Sequence, residues 1–201
     1  MKEAAGLTHD DTFSEARPSA ADWSDQHANG LQLETVRLVN VDLSASRVEK
    51  LKVTDGELTK CSLANLQGRA AEVTRVTIDG TRATGMAAPE SSWRDVTFRG
   101  CRLDMASFGF AHLTRVTFED CLMAEASFLD ARLECVRFHR CELTRGDFRG
   151  ASLERCEFRG GDLTDLEGVT HLRGAAIDWA GIIANANLWA AALGIEILDA
   201  E

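Results

Sequence analysis

The 201-residue sequence has no apolar run approaching the ~18 residues that a membrane span requires. It opens with no charged-then-apolar leader, so nothing argues for secretion, and a cytoplasmic protein with no membrane partner is expected. Basic charge is not in excess either: 22 Lys and Arg stand against 32 Asp and Glu, for a formal net charge of −10. The arginines are interleaved with acids and leave no basic groove of the kind phosphate binding requires, which disfavours direct nucleic-acid binding. Hydrophobic residues nevertheless make up 45% of the chain, enough for the core of one soluble domain.

What the sequence does have is a period of five. From Leu33 to Gly168 every fifth residue falls in one phase, and nearly all are large and apolar. Leu33, Leu38, Leu43, Val48, Val53, Leu58 and Leu63 begin the series, and from Trp93 to Leu163 it runs without a miss. Five matches neither the 3.6 of a helix nor the 2.0 of a strand, so the chain is a repeat coil with its own geometry. Two places earlier, small residues recur by type every twenty positions, as in the column Cys61, Thr81, Cys101, Cys121, Cys141. Four five-residue units therefore make one turn, with one large and one small side chain inward per face. Residues 31–170 give about seven such coils, stacked at the inter-strand spacing of roughly 4.8 Å.

Phrases such as Ala126-Ser127-Phe128-Leu129-Asp130 and Ala151-Ser152-Leu153-Glu154-Arg155 resemble the pentapeptide-repeat family, and the resemblance covers about 70% of the chain. It implies an all-β solenoid, a right-handed quadrilateral β-helix. The pattern is weakest around Gly68, Ala83 and Ala88, whose inward residues are too small. Either Trp93 fills the space they leave or the chain forms a local bulge. Some members, including the Qnr and mycobacterial quinolone-resistance types, are associated with DNA gyrase and proposed to mimic DNA. The resemblance thus implies DNA gyrase or topoisomerase IV, both type II topoisomerases, as a partner. Against this, no face of the solenoid carries a phosphate-like acidic stripe, and most of the acidity lies in the termini. There is also no phase-breaking insertion to supply the projecting loops of the Qnr type.

Sorting the inward residues by face stacks Phe98, Phe118, Phe138 and Phe158 in one column and Phe108, Phe128 and Phe148 in the opposite one, as core. Cys61, Cys101, Cys121, Cys141 and Cys156 fall in the small inward position, where cysteine is a compact hydrophobe and neighbours run parallel rather than converging as zinc ligands must. Only Cys135 faces outward. His112 and His139 face outward on different sides, and His139 lies between Arg137 and Arg140. No nucleophile, base and orienter come together, so the sequence predicts no catalytic residue, no metal and no cofactor.

Two regions stand apart. Ala87, Pro89, Phe110 and Leu129 occupy outward positions on one face over three successive coils, an apolar strip that reads either as a partner contact or as a surface covered by the N-terminal segment. Residues 171–201 supply an α-helical element: Asp178 as N-cap, then Trp179, Ile182, Ile183, Ala186, Trp189, Ala190 and Leu193 at helical spacing, with Gly194 as the stop. Ile195, Ile197 and Leu198 then alternate as a short strand would. This element resembles the C-terminal extension through which gyrase-associated members dimerise; otherwise it plugs its own solenoid. Residues 1–30 lack a sustained period and read as a cap or partly ordered arm. The expected function is a non-enzymatic protein-interaction scaffold, with a DNA-mimicking modulator of DNA gyrase or topoisomerase IV that protects against inhibitors such as quinolones as the alternative.

Overall fold

The structure, a computed structural model, describes residues 6–198. Its geometry follows from the five-residue unit. Two side chains of each unit turn inward, and the fifth residue sits in the left-handed region at the corner, as at Asp95 (φ 55°), Gly100 (φ 56°), Met105 (φ 56°) and Phe110 (φ 58°). A corner every five residues closes a four-sided turn after twenty. Parallel pairing accordingly joins residues twenty apart without a break from Thr12↔Gln32 to Asp147↔Glu167. Most strands are three residues long, such as Thr117–Glu119, but Lys52–Thr59, Glu72–Asp79 and Ser92–Arg99 run across two faces. The result is a parallel β-solenoid of about eight turns. Among the described residues no helix is long and apolar enough to cross a membrane.

The turn beyond the expected seven comes from the N-terminal segment. Residues 6–30 are coil of the solenoid rather than an arm: Thr12–Ser14 pairs with Gln32–Glu34, and His27–Asn29 with Arg47–Glu49. Phe13, Trp23 and Ala28 are buried as inward residues, and Leu7, one place out of the five-residue phase, is buried with them. The polar run from Ser24 is tolerated because its polar groups find partners. Ser24 N and Oγ both donate to Asp22 Oδ1, and the buried Ser46 hydroxyl donates to the Trp23 carbonyl while accepting from Gln26 N.

The C-terminal half is filled by the two phenylalanine columns. Neighbours within a column stack nearly parallel at 4.7–5.3 Å, and rings of opposite columns meet edge to face at 5.5–6.2 Å. Both arrangements suit the ring quadrupole. The N-terminal half is aliphatic apart from Phe13 and Trp23 in the first turn. Through Gly68, Ala83 and Ala88 the register stays at twenty, so there is no bulge, and Trp93 is buried in the space beside them. Its Nε1 donates to Ser91 Oγ at 2.6 Å, and its ring lies against Phe98 and Phe108. One indole does not fill the whole deficit, and an apolar cavity of about 70 Å³ remains along the axis.

After Gly168 (φ 73°) the coil ends in a 3-10 turn, Val169–Leu172, and Ala176–Ile177 pairs with Glu157 and Phe158 one residue out of register. Two helices follow, α1 (Trp179–Ala184) and α2 (Ala186–Ala192), where a single helix was expected. The break is at Asn185 (φ −116°, ψ 30°), whose Nδ2 donates to the Gly181 carbonyl. Gly194 (φ 70°) stops α2, with Ile195 N donating back to the Ala190 carbonyl. Ile195–Leu198 forms no strand.

Candidate functional site

The face built on the inward Phe108, Phe128 and Phe148 gathers Ala87, Pro89, Phe110 and Leu129. Ala87 pairs with Ser107, Ser107 pairs with Ser127, and the Phe110 amide donates to the Leu129 carbonyl at 2.8 Å. The amide just after each inward phenylalanine is claimed by the side chain two places earlier. Gly109 N donates to Ser107 Oγ, Leu129 N to Ser127 Oγ and Arg149 N to Asp147 Oδ1. Ala87 offers no such oxygen and Pro89 has no N–H to satisfy, so the apolar pair fits the same turn without an orphaned donor. Phe110 is 56% exposed at its left-handed corner, whereas Ala87, Pro89 and Leu129 are half-buried. The described N-terminal residues belong to the first turn and do not cover the strip. The sequence reading missed Met105, 57% exposed at the corner where this face begins. The signal that picked out Phe110, a large apolar residue in an outward place, applies to it equally.

Elsewhere the surface is charged but paired along the rod. Arg75 grips Asp55 through Nε and Nη2 at 2.6 and 2.8 Å, and Arg115 grips Asp95 with the same geometry one turn further on. Arg140 bridges Asp120 and Glu119, Arg145 meets Glu125, and Arg155 meets Glu134. Hydrogen bonds from these guanidinium groups hold the Asp55, Asp95, Asp120 and Glu119 carboxyls below the usual range. Exposed pairs of this kind add little stability. They do determine that acid is matched by base from turn to turn.

The tail is fastened by Asp178. Its Oδ1 accepts from Gly181 N at 2.8 Å as the N-cap of α1, its Oδ2 accepts from Gly160 N at 2.6 Å in the last coil, and both bonds depress its pKa. Gly181 is buried beside Ile177 and Leu163, and Ile177, Leu188 and Trp189 pack on the core. Trp189 Nε1 donates to the Ile182 carbonyl at 3.1 Å. The residues expected to share one helical stripe are therefore divided, because the helix breaks between them. Ile182 and Trp189 are half-buried on the lid side, while Trp179 (76%), Ile183 (59%), Ala186 and Leu193 (76%) face outward. Ile195, Ile197 and Leu198 extend that exposed apolar surface.

Cys61, Cys101, Cys121, Cys141 and Cys156 are buried and Cys135 is half-exposed. Burial pushes the Cys61 and Cys156 thiols up. His112 is exposed, and the His139 ring lies 3.8 Å from Glu157 rather than between its two arginine neighbours alone. Among the described residues no group of three or more His, Cys, Asp or Glu is placed to hold a metal ion.

A family model described as "Pentapeptide repeat region" matches residues 91–167. No curated protein matches the sequence. Among solved structures, the chain is similar to HetL, a pentapeptide repeat protein involved in heterocyst differentiation regulation from the cyanobacterium Nostoc sp. strain PCC 7120. The identity is 16% over 87% of this chain and 91% of that one, with a TM-score of 0.48. It is also similar to trypsin-treated QnrB1, a plasmid-mediated fluoroquinolone resistance protein, at 16% identity over 97% of this chain and 100% of that one, with a TM-score of 0.36. A third is Rfr23, a pentapeptide repeat protein from the cyanobacterium Cyanothece 51142, at 15% identity over 61% of this chain and 88% of that one, with a TM-score of 0.36.

Proposed function

We propose that this chain, which belongs to the pentapeptide-repeat family, is a non-enzymatic protein-interaction scaffold: a rod that pairs with a second copy through its C-terminal element and meets a protein partner with the Phe110 face. The observation that carries the reading is where large apolar side chains meet water. Among the described residues, and apart from Leu122, they are confined to Met105 and Phe110 on one face and to Trp179, Ile183, Leu193, Ile195, Ile197 and Leu198 in the tail. Exposed apolar surface gathered in two places, on a body whose other faces are charged, is the pattern of contact sites.

The alternative, a DNA-mimicking modulator of DNA gyrase or topoisomerase IV that protects against inhibitors such as quinolones, draws on the net charge of −10 and the family resemblance. A stand-in for the phosphate backbone needs unpaired acid along its length, and the arginine ladders neutralise the acid of this rod turn by turn. That favours the scaffold.

Sedimentation tests the pairing. The wild-type chain is expected to be a dimer at micromolar concentration, and Trp179→Glu with Ile183→Glu a folded monomer, because an apolar surface shared between chains cannot accept a desolvated charge. A wild-type monomer ends the dimer reading. Capture of a partner that Phe110→Asp abolishes, with gyrase supercoiling and quinolone-induced cleavage unchanged at molar excess, fits the scaffold. Inhibition of supercoiling by the wild-type rod favours the topoisomerase reading instead.

A further inference from the structure

The aliphatic half of the solenoid holds empty space on its axis, and the cause is in the sequence. The turns with Phe98, Leu103, Phe108 and Leu113 inward fill their centre, whereas Val73, Ala83, Ala88 and Gly68 do not reach it. The resulting cavity of about 70 Å³ is lined by apolar residues alone, from Leu7 and Trp23 in the first turn to Trp93 in the fifth. It is several times the space that one water occupies, yet it offers water none of the two to four polar partners that a buried water needs, so it stays dry. Trp23 and Trp93 are three and a half turns apart, roughly 17 Å at the inter-strand spacing. The space is thus long and narrow.

We propose that this cavity is a binding site for a small uncharged hydrocarbon, an unbranched alkyl chain of a few carbons lying along the solenoid axis. The walls select against any group that must keep a hydrogen bond, because the side chains that line the space are all apolar and the backbone amides and carbonyls are spent on the parallel ladder. They select for a narrow shape, because each turn constricts the space from four sides. Met86, unbranched and adaptable, lines the cavity and adjusts to an occupant. Among the described residues the first turn is paired to the coil on one side only, so it opens at lower cost than the turns beneath it and is the route of entry.

The two lining tryptophans report occupancy. In a Trp179→Phe, Trp189→Phe background the emission comes from Trp23 and Trp93, and bromoethane, a heavy-atom quencher small enough for the cavity, is expected to quench it saturably, while bromide ion at the same concentration does not. Adding Gly68→Leu fills the cavity and is expected to abolish the saturable component with an unchanged circular dichroism spectrum. In the unsubstituted chain, dissolved propane is expected to raise the melting temperature, and in Gly68→Leu to leave it unmoved. Linear, non-saturating quenching, or saturable quenching that is the same with and without the leucine, overturns the site. If Gly68→Leu does not fold, Gly68→Ala and Val73→Ile take its place: graded loss of quenching supports the proposal, and equal quenching in all three proteins overturns it.

Discussion

Replacing Gly68 by leucine is expected to stabilise the protein, which is unusual for the insertion of a large side chain into a buried position. Gly68 stands in the inward place that leucine or phenylalanine takes in other turns, with an ordinary φ, and a Cβ built on it meets only the Ala87 carbonyl oxygen, at 3.8 Å. The new side chain therefore enters the axial cavity without strain. Losing glycine's freedom in the unfolded chain is worth roughly 0.4–1 kcal/mol. Three further carbons buried at about 0.8 kcal/mol each add ~2.4 kcal/mol. Fixing the leucine rotamer costs about 0.5–1 kcal/mol. The net gain is about 2–3 kcal/mol, a rise in melting temperature of roughly 5–10 °C for a chain of this size. Thermal and urea melts followed by circular dichroism read it, with Gly161→Ala as a control of opposite sign, since a Cβ there falls 2.3 Å from the Cys141 carbonyl oxygen. A lower melting temperature for Gly68→Leu and for Gly68→Val would refute the reasoning, because it would mean that the axial space does not exist in solution.

Phe128→Ala removes a fully buried ring from the middle of its column and is expected to cost ~3–5 kcal/mol, while Leu129→Ser, one residue away on the outer surface, costs little; equal losses in urea melts would contradict the inward and outward assignment. A thiol reagent without denaturant should label Cys135 quickly and the five inward cysteines slowly, and mass spectrometry of the labelled protein shows which. Asp178→Ala should cost roughly 0.5–2 kcal/mol and release the tail from the last coil, seen as faster hydrogen exchange at Gly160 and Gly181. The carboxyls of Asp178, Asp55, Asp95 and Asp120 titrate below their unfolded range, so their stabilisation is complete above that range and is lost as pH falls below about 4 through the depressed native values. Melts between pH 7 and pH 2 should therefore decline only at the acid end.

The solenoid was legible because one rule, a large inward residue every fifth place, is satisfied nearly everywhere from Leu33 on. The first turn escaped notice because Pro18 and Ala28 occupy inward places that other turns give to leucine or phenylalanine, and only Phe13 and Trp23 keep the pattern visible. Residues of the strip were found from their outward phase, and Met105 was missed although it obeys the same logic. The tail was harder. Helical spacing runs unbroken through Asn185, and what breaks the helix is a side-chain bond to the Gly181 carbonyl that no periodicity reveals. Which tryptophan lies on the lid and which faces water depends on that break. The axial cavity follows from Gly68, Ala83 and Ala88, but the sequence could not say how much of it Trp93 would fill.

The unbroken register of twenty gives length changes in this chain a rotational meaning. Inserting one five-residue unit after Gly100 would keep every inward residue inward, yet it would turn everything downstream by one face. Phe110 and Leu129 would leave the side that carries Ala87 and Pro89, and phenylalanines would come to rest over leucines. Inserting twenty residues would only lengthen the rod by about 4.8 Å and leave all sides aligned. The angle between the Phe110 face and the tail is thus set by chain length counted modulo twenty, and their separation by how many whole turns lie between. A partner that touches both surfaces measures the two quantities at once, so lengthening by whole turns shifts its footprint along the rod, and any other number of units moves it to a different side.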